Sequence, residues 1–304
     1  MRSLSCLWKL RYQYLQYYVM QFTKWFPSDR IYLSLLYYAH FKRKIDWKKL
    51  RTFNEKLQWL KLYDRQNDYT LLVDKQSAKK IIGEIIGEEH IIPTLGVWDD
   101  WNDFMLSKQL LPEKFVLKCT HDSASTVVVD STKVNWNELR VFYEKRLASN
   151  FYLLGREWPY KNVIPRLMAE PYMSDDSALN NGGLTDYKFH CFNGNVDNVM
   201  VCIDRNIGFP KFYFFDKHWS LLRINKRGKD APKDFSLPKP QNIDQMFEIA
   251  SLLSKGKPFV RVDLYVVNQV IYFGELTFYP SSGFDANLLE ETDVLWGNKL
   301  ILKR

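Results

Sequence analysis

Two short runs near the C-terminal end place charge where a β-hairpin should be apolar. They are Phe259-Val260-Arg261-Val262-Asp263-Leu264-Tyr265 and Ile271-Tyr272-Phe273-Gly274-Glu275-Leu276-Thr277-Phe278. Both are short, alternating and rich in Val, Tyr and Phe, which predicts strands. A period of two puts Arg261, Asp263 and Tyr265 on one face and Val260, Val262, Leu264 and Val266 on the other. The same period groups Glu275 and Thr277 with Ile271 and Phe273. A buried carboxylate is costly unless it is paired or bound to a cation. Two facing carboxylates make a hard-oxygen site of the kind Mg²⁺ favours when it also binds phosphates. The alternative is an Arg261–Asp263 ion pair beside a solvated Glu275. Register decides whether the acids meet. A two-residue loop at Asn268-Gln269 sets Asp263 opposite Gly274, with the acids on opposite faces. A three-residue connection through Val270, or a bulge of equal effect, sets Asp263 opposite Glu275 and Arg261 opposite Thr277.

The chain has 304 residues, 46% of them hydrophobic, enough for one large domain or two smaller ones. No apolar run reaches membrane-spanning length. The four cysteines show no CxxC spacing, and Lys9 and Arg11 interrupt the early apolar stretch, so no signal peptide is read. Free thiols and a cytoplasmic location are the expectation. No His/Cys cluster suggests zinc. Neither GxxxxGK[ST] nor GxGxxG occurs, which removes the P-loop and Rossmann readings.

Charge is uneven. Residues 1–60 carry twelve Lys or Arg against three Asp or Glu, leaving the rest near balance. A nucleic-acid enzyme would line its working groove with the basic residues, so no nucleic-acid partner is expected. An anionic surface such as phospholipid suits the pattern. Leu4, Trp8, Tyr12, Leu15, Val19 and Phe22 recur at helical spacing, fitting either an interfacial helix or an ordinary packed one.

Further along, Thr52-Phe53-Asn54-Glu55 is a capping box opening a helix, and a second helix begins near Asp74-Lys75 and buries Ile81, Ile82, Ile85 and Ile86. The strand ending at Cys119 leads into the hydroxyl-rich loop Thr120-His121-Asp122-Ser123-Ala124-Ser125-Thr126, then Val127-Val128-Val129. Helices over Trp136–Ala148 and from an Asn242 cap to Gly256, and strands over Tyr187–Phe192 and Asn198–Ile203, complete an α+β class. Lys118, at a strand end beside exposed N–H groups and serines, can hold phosphate oxygens. Glu170 closes the apolar run Pro165 to Met173.

These stretches, in this order, resemble the ATP-grasp superfamily, and more narrowly the TupA-like ATP-grasp proteins of bacterial surface-polysaccharide clusters, often labelled glycosyltransferases. The resemblance rests on FNEKLQWL (53–60), Asp74-Lys75, FVLKCTHDSAS (115–125), GREWPYKN (155–162), LTDYKF (184–189) and FVRVDLY…YFGELTFYPSSGF (259–284). It covers roughly residues 50–304. It implies two α+β subdomains clasping a nucleotide, with a helical part over 51–110, a subdomain with a lid loop over 111–172 and one with the metal site over 173–304; the basic helical segment over 1–50 lies outside it.

The resemblance also implies roles. Lys75 and Lys118 contact the α/β-phosphates, and Ser123 and Ser125 lie in the closing loop. Glu170, with backbone near Tyr172 and Met173, reads adenine. Asp186 contacts ribose, and Lys188 belongs to the same nucleotide set. Arg261 neutralises charge on the transferred phosphoryl group and, with Lys118, forms the catalytic pair. Asp263, Glu275 and Thr277 hold Mg²⁺. The chain departs from the superfamily in a loop poor in glycine and in Thr277 where Asn is usual.

The implied chemistry is ATP- and Mg²⁺-dependent carboxylate–amine ligation through an acyl phosphate. It would join an amino acid or amine to a uronic acid or other acidic glycan unit of a capsule or surface polysaccharide. Peripheral contact with the inner membrane or a lipid-linked acceptor goes with it. A sugar kinase, a glycosyltransferase and a non-catalytic nucleotide-binding scaffold are the competing readings. Lys118 and the acid pair speak against the scaffold.

Overall fold

The computed structural model describes residues 14–174, 184–204 and 210–303. Its strands form two sheets, and every pairing within them is antiparallel. The smaller sheet has the order β1-β4-β2-β3, with β1 (Gly96–Trp98), β2 (Lys114–Cys119), β3 (Val127–Asp130) and β4 (Leu167–Pro171). The larger has the order β10-β9-β5-β6-β7-β8, with β5 (Asp186–Phe192), β6 (Asn195–Ile203), β7 (Lys211–Phe215), β8 (Leu221–Leu222), β9 (Phe259–Val267) and β10 (Val270–Thr277). The principal helices are α1 (Asp29–Phe41), α2 (Phe53–Tyr63), α3 (Asn67–Val73), α4 (Lys75–Ile86), α5 (Trp101–Ser107), α6 (Trp136–Leu147), α7 (Ile243–Ser254) and α8 (Glu290–Lys299).

Each sheet has its own apolar core. Trp101, Phe104, Phe115, Leu117, Tyr143 and Leu167 pack the smaller one. The larger core joins Phe53, Leu57 and Ile82 to Phe189, Val262, Phe273 and Trp296, drawing on both ends of the chain. The capping box forms as the sequence predicts. Thr52 Oγ1 accepts from Glu55 N at 3.3 Å, and Glu55 Oε2 accepts from Thr52 N at 3.0 Å. On α4, Ala78 and Ile82 are buried, but Ile85 is 47% exposed. One helical stripe narrower than the isoleucine run meets the sheet, so the expected burial of Ile85 is corrected. Asn242 precedes α7 without capping it; its amide donates instead to Gln269 O at 3.2 Å, across at the hairpin turn.

The β9–β10 hairpin combines two of the devices considered above. Val267 pairs with Val270, so the turn is the two-residue Asn268-Gln269, both with positive φ (49° and 65°), as a type I′ turn needs. That register alone would separate the acids. A bulge between Phe273 and Glu275 then absorbs Gly274 and restores Glu275 opposite Asp263 and Thr277 opposite Arg261. Ile271 and Phe273 therefore face the core, while Glu275 and Thr277 emerge on the Asp263 face. The expected grouping of all four on one face is corrected by that single extra residue.

At the N-terminal end, residues 14–21 are helical; Leu4, Trp8 and Tyr12 lie outside the described residues. Val19 is buried, whereas Tyr14, Tyr17, Tyr18 and Phe22 are exposed. The following stretch docks on the chain near residue 154. Tyr32 Oη donates to Leu154 O at 2.9 Å, and Arg156, left-handed at φ 54°, lies over the Tyr32 ring and 3.4 Å from Asp29. Among the described residues no helix is long and apolar enough to cross a membrane.

Candidate active site

Alternate residues of β9 carry Arg261 and Asp263 onto one face of the larger sheet, and β5 brings Lys188 opposite Asp263. Asp263 is fully buried and receives three charged donors. Arg261 Nε lies 2.6 Å from its Oδ1 and Nη2 lies 2.7 Å from its Oδ2, while Lys188 Nζ donates to Oδ2 as well. Burial alone would push the Asp263 carboxyl up; Arg261 and Lys188 outweigh it and hold the group below its ordinary range. Burial likewise works against the Arg261 cation, and Asp263 and Glu275 more than restore it. The pair is charged and mutually dependent.

Glu275 differs. Its side chain is 40% exposed, 3.4 Å from Arg261 Nη2, and its Oε1 accepts from Thr277 Oγ1 at 3.1 Å. Thr277 Oγ1 in turn accepts from Arg261 Nη2 at 3.0 Å. Thr277 thus orients both the acid and the guanidinium. These Arg261 bonds use Nε and Nη2 and leave Nη1.

A cavity of about 1010 Å³ opens over this face. Lys75, Ser123, Ser125, Asp186, Lys188, Arg261 and Glu275 line it. The sequence-predicted residues fall into two groups. Those seven share the cavity, with Asp263 and Thr277 bonded directly beneath them. Lys118 and Glu170 on the smaller sheet, and Tyr172 and Met173 just after β4, are not among the lining residues, although Lys118 is close enough to Lys75 for the two charges to act on each other. There Glu170 bridges Lys118 and Lys79, each at 2.5 Å. Burial would raise the Glu170 carboxyl, but the two lysines lower it. Lys114 Nζ sits 3.6 Å over the Tyr172 ring.

The loop after β2 is tied down rather than free. Ser125 Oγ donates to Asp122 Oδ1 and accepts from Cys119 N at 2.9 Å. Arg146 on α6 binds Asp122 Oδ2 at 2.9 Å and donates to Ser123 O and Ala124 O at 3.0 and 3.1 Å. Tyr143 Oη lies 2.7 Å from Leu117 O and 2.9 Å from Ser125 O, and its one hydrogen is shared between the two carbonyls. Ser125 is buried by this role, while Ser123 is exposed. Lys75 Nζ donates to Asp122 O, so the loop's underside reaches the start of α4. Burial lowers the Lys75 ammonium, and Glu275 partly offsets this.

The donor set can accept a magnesium nucleotide. Among the described residues no three His, Cys, Asp or Glu side chains converge on a ready cage. Mg²⁺ bound with phosphates asks for only one or two carboxylates, its other ligands being phosphate oxygens and water. The partly exposed Glu275 would supply one, Asp263 could add a second only by giving up a bond to Arg261 or Lys188, and Lys75, Lys188 and Arg261 would balance the anion.

Three neighbours of the site escaped the sequence reading. Lys79 stands one helical turn after Lys75, a spacing that could have flagged it. Arg146 had no local signal. Behind the Pro280–Gly283 turn, Lys61 Nζ donates to Ser282 O at 2.7 Å and to Gln58 Oε1 at 3.0 Å, with the buried Glu157 as its counter-charge. Burial pulls the Lys61 ammonium down to about 7, partly offset by Glu157. Ser281 and Ser282 are both left-handed there, at φ 50° and 52°, and Ser281 lines the cavity.

No curated protein matches this chain. Among solved structures it is similar to a D-alanine–D-alanine ligase from Helicobacter pylori, at TM-score 0.44 and 13% identity over 82% of this chain and 69% of that one. It is also similar to the Bacillus anthracis D-alanine–D-alanine ligase complexed with ATP, at 0.41 and 14% over 76% and 62%. The ATP-grasp ligase PsnB complexed with minimal precursor gives 0.40 and 9% over 77% and 62%. The chain thus spans less than two thirds of the latter two. The sequence profile of the TupA-like ATP-grasp family matches residues 55–301, which takes in α2 from Glu55 onward, both sheets and every residue lining the cavity. The chain belongs to the TupA-like ATP-grasp family.

Proposed function

We propose that this protein is an ATP- and Mg²⁺-dependent carboxylate–amine ligase that joins an amino acid or other amine to an acidic unit of a surface polysaccharide. The observation that carries the reading is the Arg261–Asp263–Lys188 cluster, with Glu275 partly open beside it, on the floor of a cavity edged by Lys75. That arrangement suits charge build-up on a phosphoryl group better than it suits a nucleophile. An acceptor carboxylate oxygen attacks the γ-phosphorus of ATP and ADP leaves. The amine then attacks the acyl phosphate carbonyl, and inorganic phosphate leaves with loss of a proton. Arg261 and Lys188 stabilise the transferring charge. Asp263 fixes both cations, and Thr277 orients Glu275. Mg²⁺ would supply charge neutralisation of the phosphates from Glu275 and Asp263. The nucleotide base would lie toward Glu170, Tyr172 and Met173, with Lys118 on the phosphates and Asp186 on the ribose. Ser123, exposed on the loop that Arg146 holds, would reach the phosphates.

The exposed Tyr17, Tyr18 and Phe22, with the basic excess of residues 1–60, support peripheral contact with the cytoplasmic face of the membrane. The test is turnover with Mg²⁺, ATP, uronic acids and amino acids, reading inorganic phosphate and product mass together. Phosphate release with a product lighter by one water than its two substrates supports the ligase. A product heavier by one phosphoryl group makes it a kinase. Turnover of a nucleotide sugar without ATP use makes it a glycosyltransferase.

A further inference from the structure

The cavity does not end at the ionic cluster. Strand register lays Asp263, Lys188, Met200 and Phe214 in one row across β9, β5, β6 and β7. The neighbouring row runs Asp186, Cys202, Phe212. Met200, Phe212 and Phe214 line the cavity, so its floor turns apolar and aromatic beyond Lys188, while Tyr265 lines it on the β9 side. Past that floor stands a charged rim in which Lys226 and Arg227 are set among Asp230 and Asp285. Asn225 Nδ2 donates to Phe212 O at 3.0 Å and Lys226 N donates to Asn287 O at 3.0 Å, which fixes the 225–230 turn over β7. Lys226 and Arg227 on that turn are exposed and line the cavity. Among the described residues neither has an acid within ion-pair distance, whereas nearby Lys211 is held by Asp204 at 2.6 Å. Of those acids Asp285 accepts from Asn287 N at 2.8 Å, and burial raises its carboxyl while the Lys226 charge pulls it back, so Arg227 is the less compensated of the two cations.

The β7 backbone lies two strand spacings from Lys188 on β5 and three from Arg261 on β9, about 10 and 14 Å. At about 1010 Å³ the cavity is as large as the largest single-ligand sites, roughly 1,000 Å³, and its lining runs from the ionic cluster to the β7 side. We infer that the β7 side is an acceptor subsite for an oligomeric polycarboxylate, whose terminal carboxylate reaches Arg261 and Lys188 while a carboxylate at least one unit back meets Lys226 and Arg227. The rings between them lie on Met200, Phe212 and Phe214. A single uronic acid has one carboxylate and can meet only one of the two ends; two or three units carry a second carboxylate to the other. Which end reacts rests on the ligase reading, but the subsite itself rests on the lining.

The experiment is calorimetric titration of the Mg²⁺·ADP-loaded protein with trigalacturonate, galacturonate and the neutral maltotriose. Trigalacturonate should bind on the order of tenfold more tightly than the monomer, since each partly exposed ion pair adds a modest term. Maltotriose should bind more weakly than trigalacturonate. The K226Q/R227Q double variant should erase the preference for the trimer and leave ADP binding unchanged. Equal affinity for trimer and monomer, no binding of the trimer, or an undiminished preference in the double variant overturns the subsite. Trimer-selective binding without amide formation from ATP and any amine keeps the subsite and removes the ligase reading. Amide formation that shows no preference between monomer and trimer does the reverse.

Discussion

Gly274 is the residue on which the acid pair depends, and replacing it gives the sharpest test of the site. A Cβ built there would lie 2.8 Å from Tyr265 Cε2 and 3.0 Å from Asp263 O. The ring can rotate away; the carbonyl belongs to the strand that carries Asp263 and cannot move without moving the site. Overpacking of this kind costs about 1–3 kcal/mol. Reduced freedom of the unfolded chain returns about 0.4–1 kcal/mol, so Gly274→Ala should destabilise by about 0.5–2 kcal/mol. The larger consequence is local. If the bulge is expelled to relieve the clash, the register slips by one and Glu275 turns toward the core. Arg261 and Thr277 then lose their partner, and ATP-derived phosphate release should fall by far more than the stability change explains. Urea denaturation and phosphate release measured on the same preparation separate the two effects. A Gly274→Ala protein with unfolding free energy within about 0.3 kcal/mol of wild type and unchanged turnover would refute the claim that the bulge sets the site.

Asp263→Asn should abolish turnover, and it should also cost a few kcal/mol by leaving Arg261 and Lys188 buried with a neutral partner; a folded, active variant would remove Asp263 from the machinery. Arg146→Ala removes the ion pair to Asp122 and two bonds to loop carbonyls, so amide exchange across Thr120–Thr126 should quicken and KM for ATP rise several-fold, with kcat changed less. Lys61 is pulled down to about 7 by burial, so between pH 7 and the ordinary lysine range the unfolded chain holds a proton that the folded one has released. Stability should therefore rise with pH across that window, and Lys61→Met should flatten the slope. Glu157 acts in the opposite sense: burial raises its carboxyl, so its contribution is present at low pH and is lost as pH rises through the folded value.

What the sequence made legible was chemistry carried by composition and period. Arg261, Asp263 and Glu275 stand out because charge interrupts alternating strands, and Thr52 to Glu55 announce a helix start by residue type alone. The register between the acids was not legible, because a bulge is a choice between two nearly equal pairings that only packing resolves. Arg146 and Lys79 were missed for a related reason. Each is an ordinary helical surface residue until a loop or a second acid from elsewhere in the chain arrives to meet it. The hydroxyl-rich loop looked like a loose cover because its anchors, Arg146 and Tyr143, lie a full helix downstream.

The two apolar cores also bear on the order in which the protein is made. The smaller one uses residues from a single stretch, Trp101 to Ala169, and is complete once that stretch has emerged from the ribosome. The larger one needs Phe53, Leu57 and Ile82 to wait for Phe259, Trp296 and Leu300. During synthesis the early helices must therefore remain without their sheet while more than half of the chain is still being added. A nascent chain arrested before β9 would present those helices' apolar faces to chaperones, with the smaller sheet already folded in the middle.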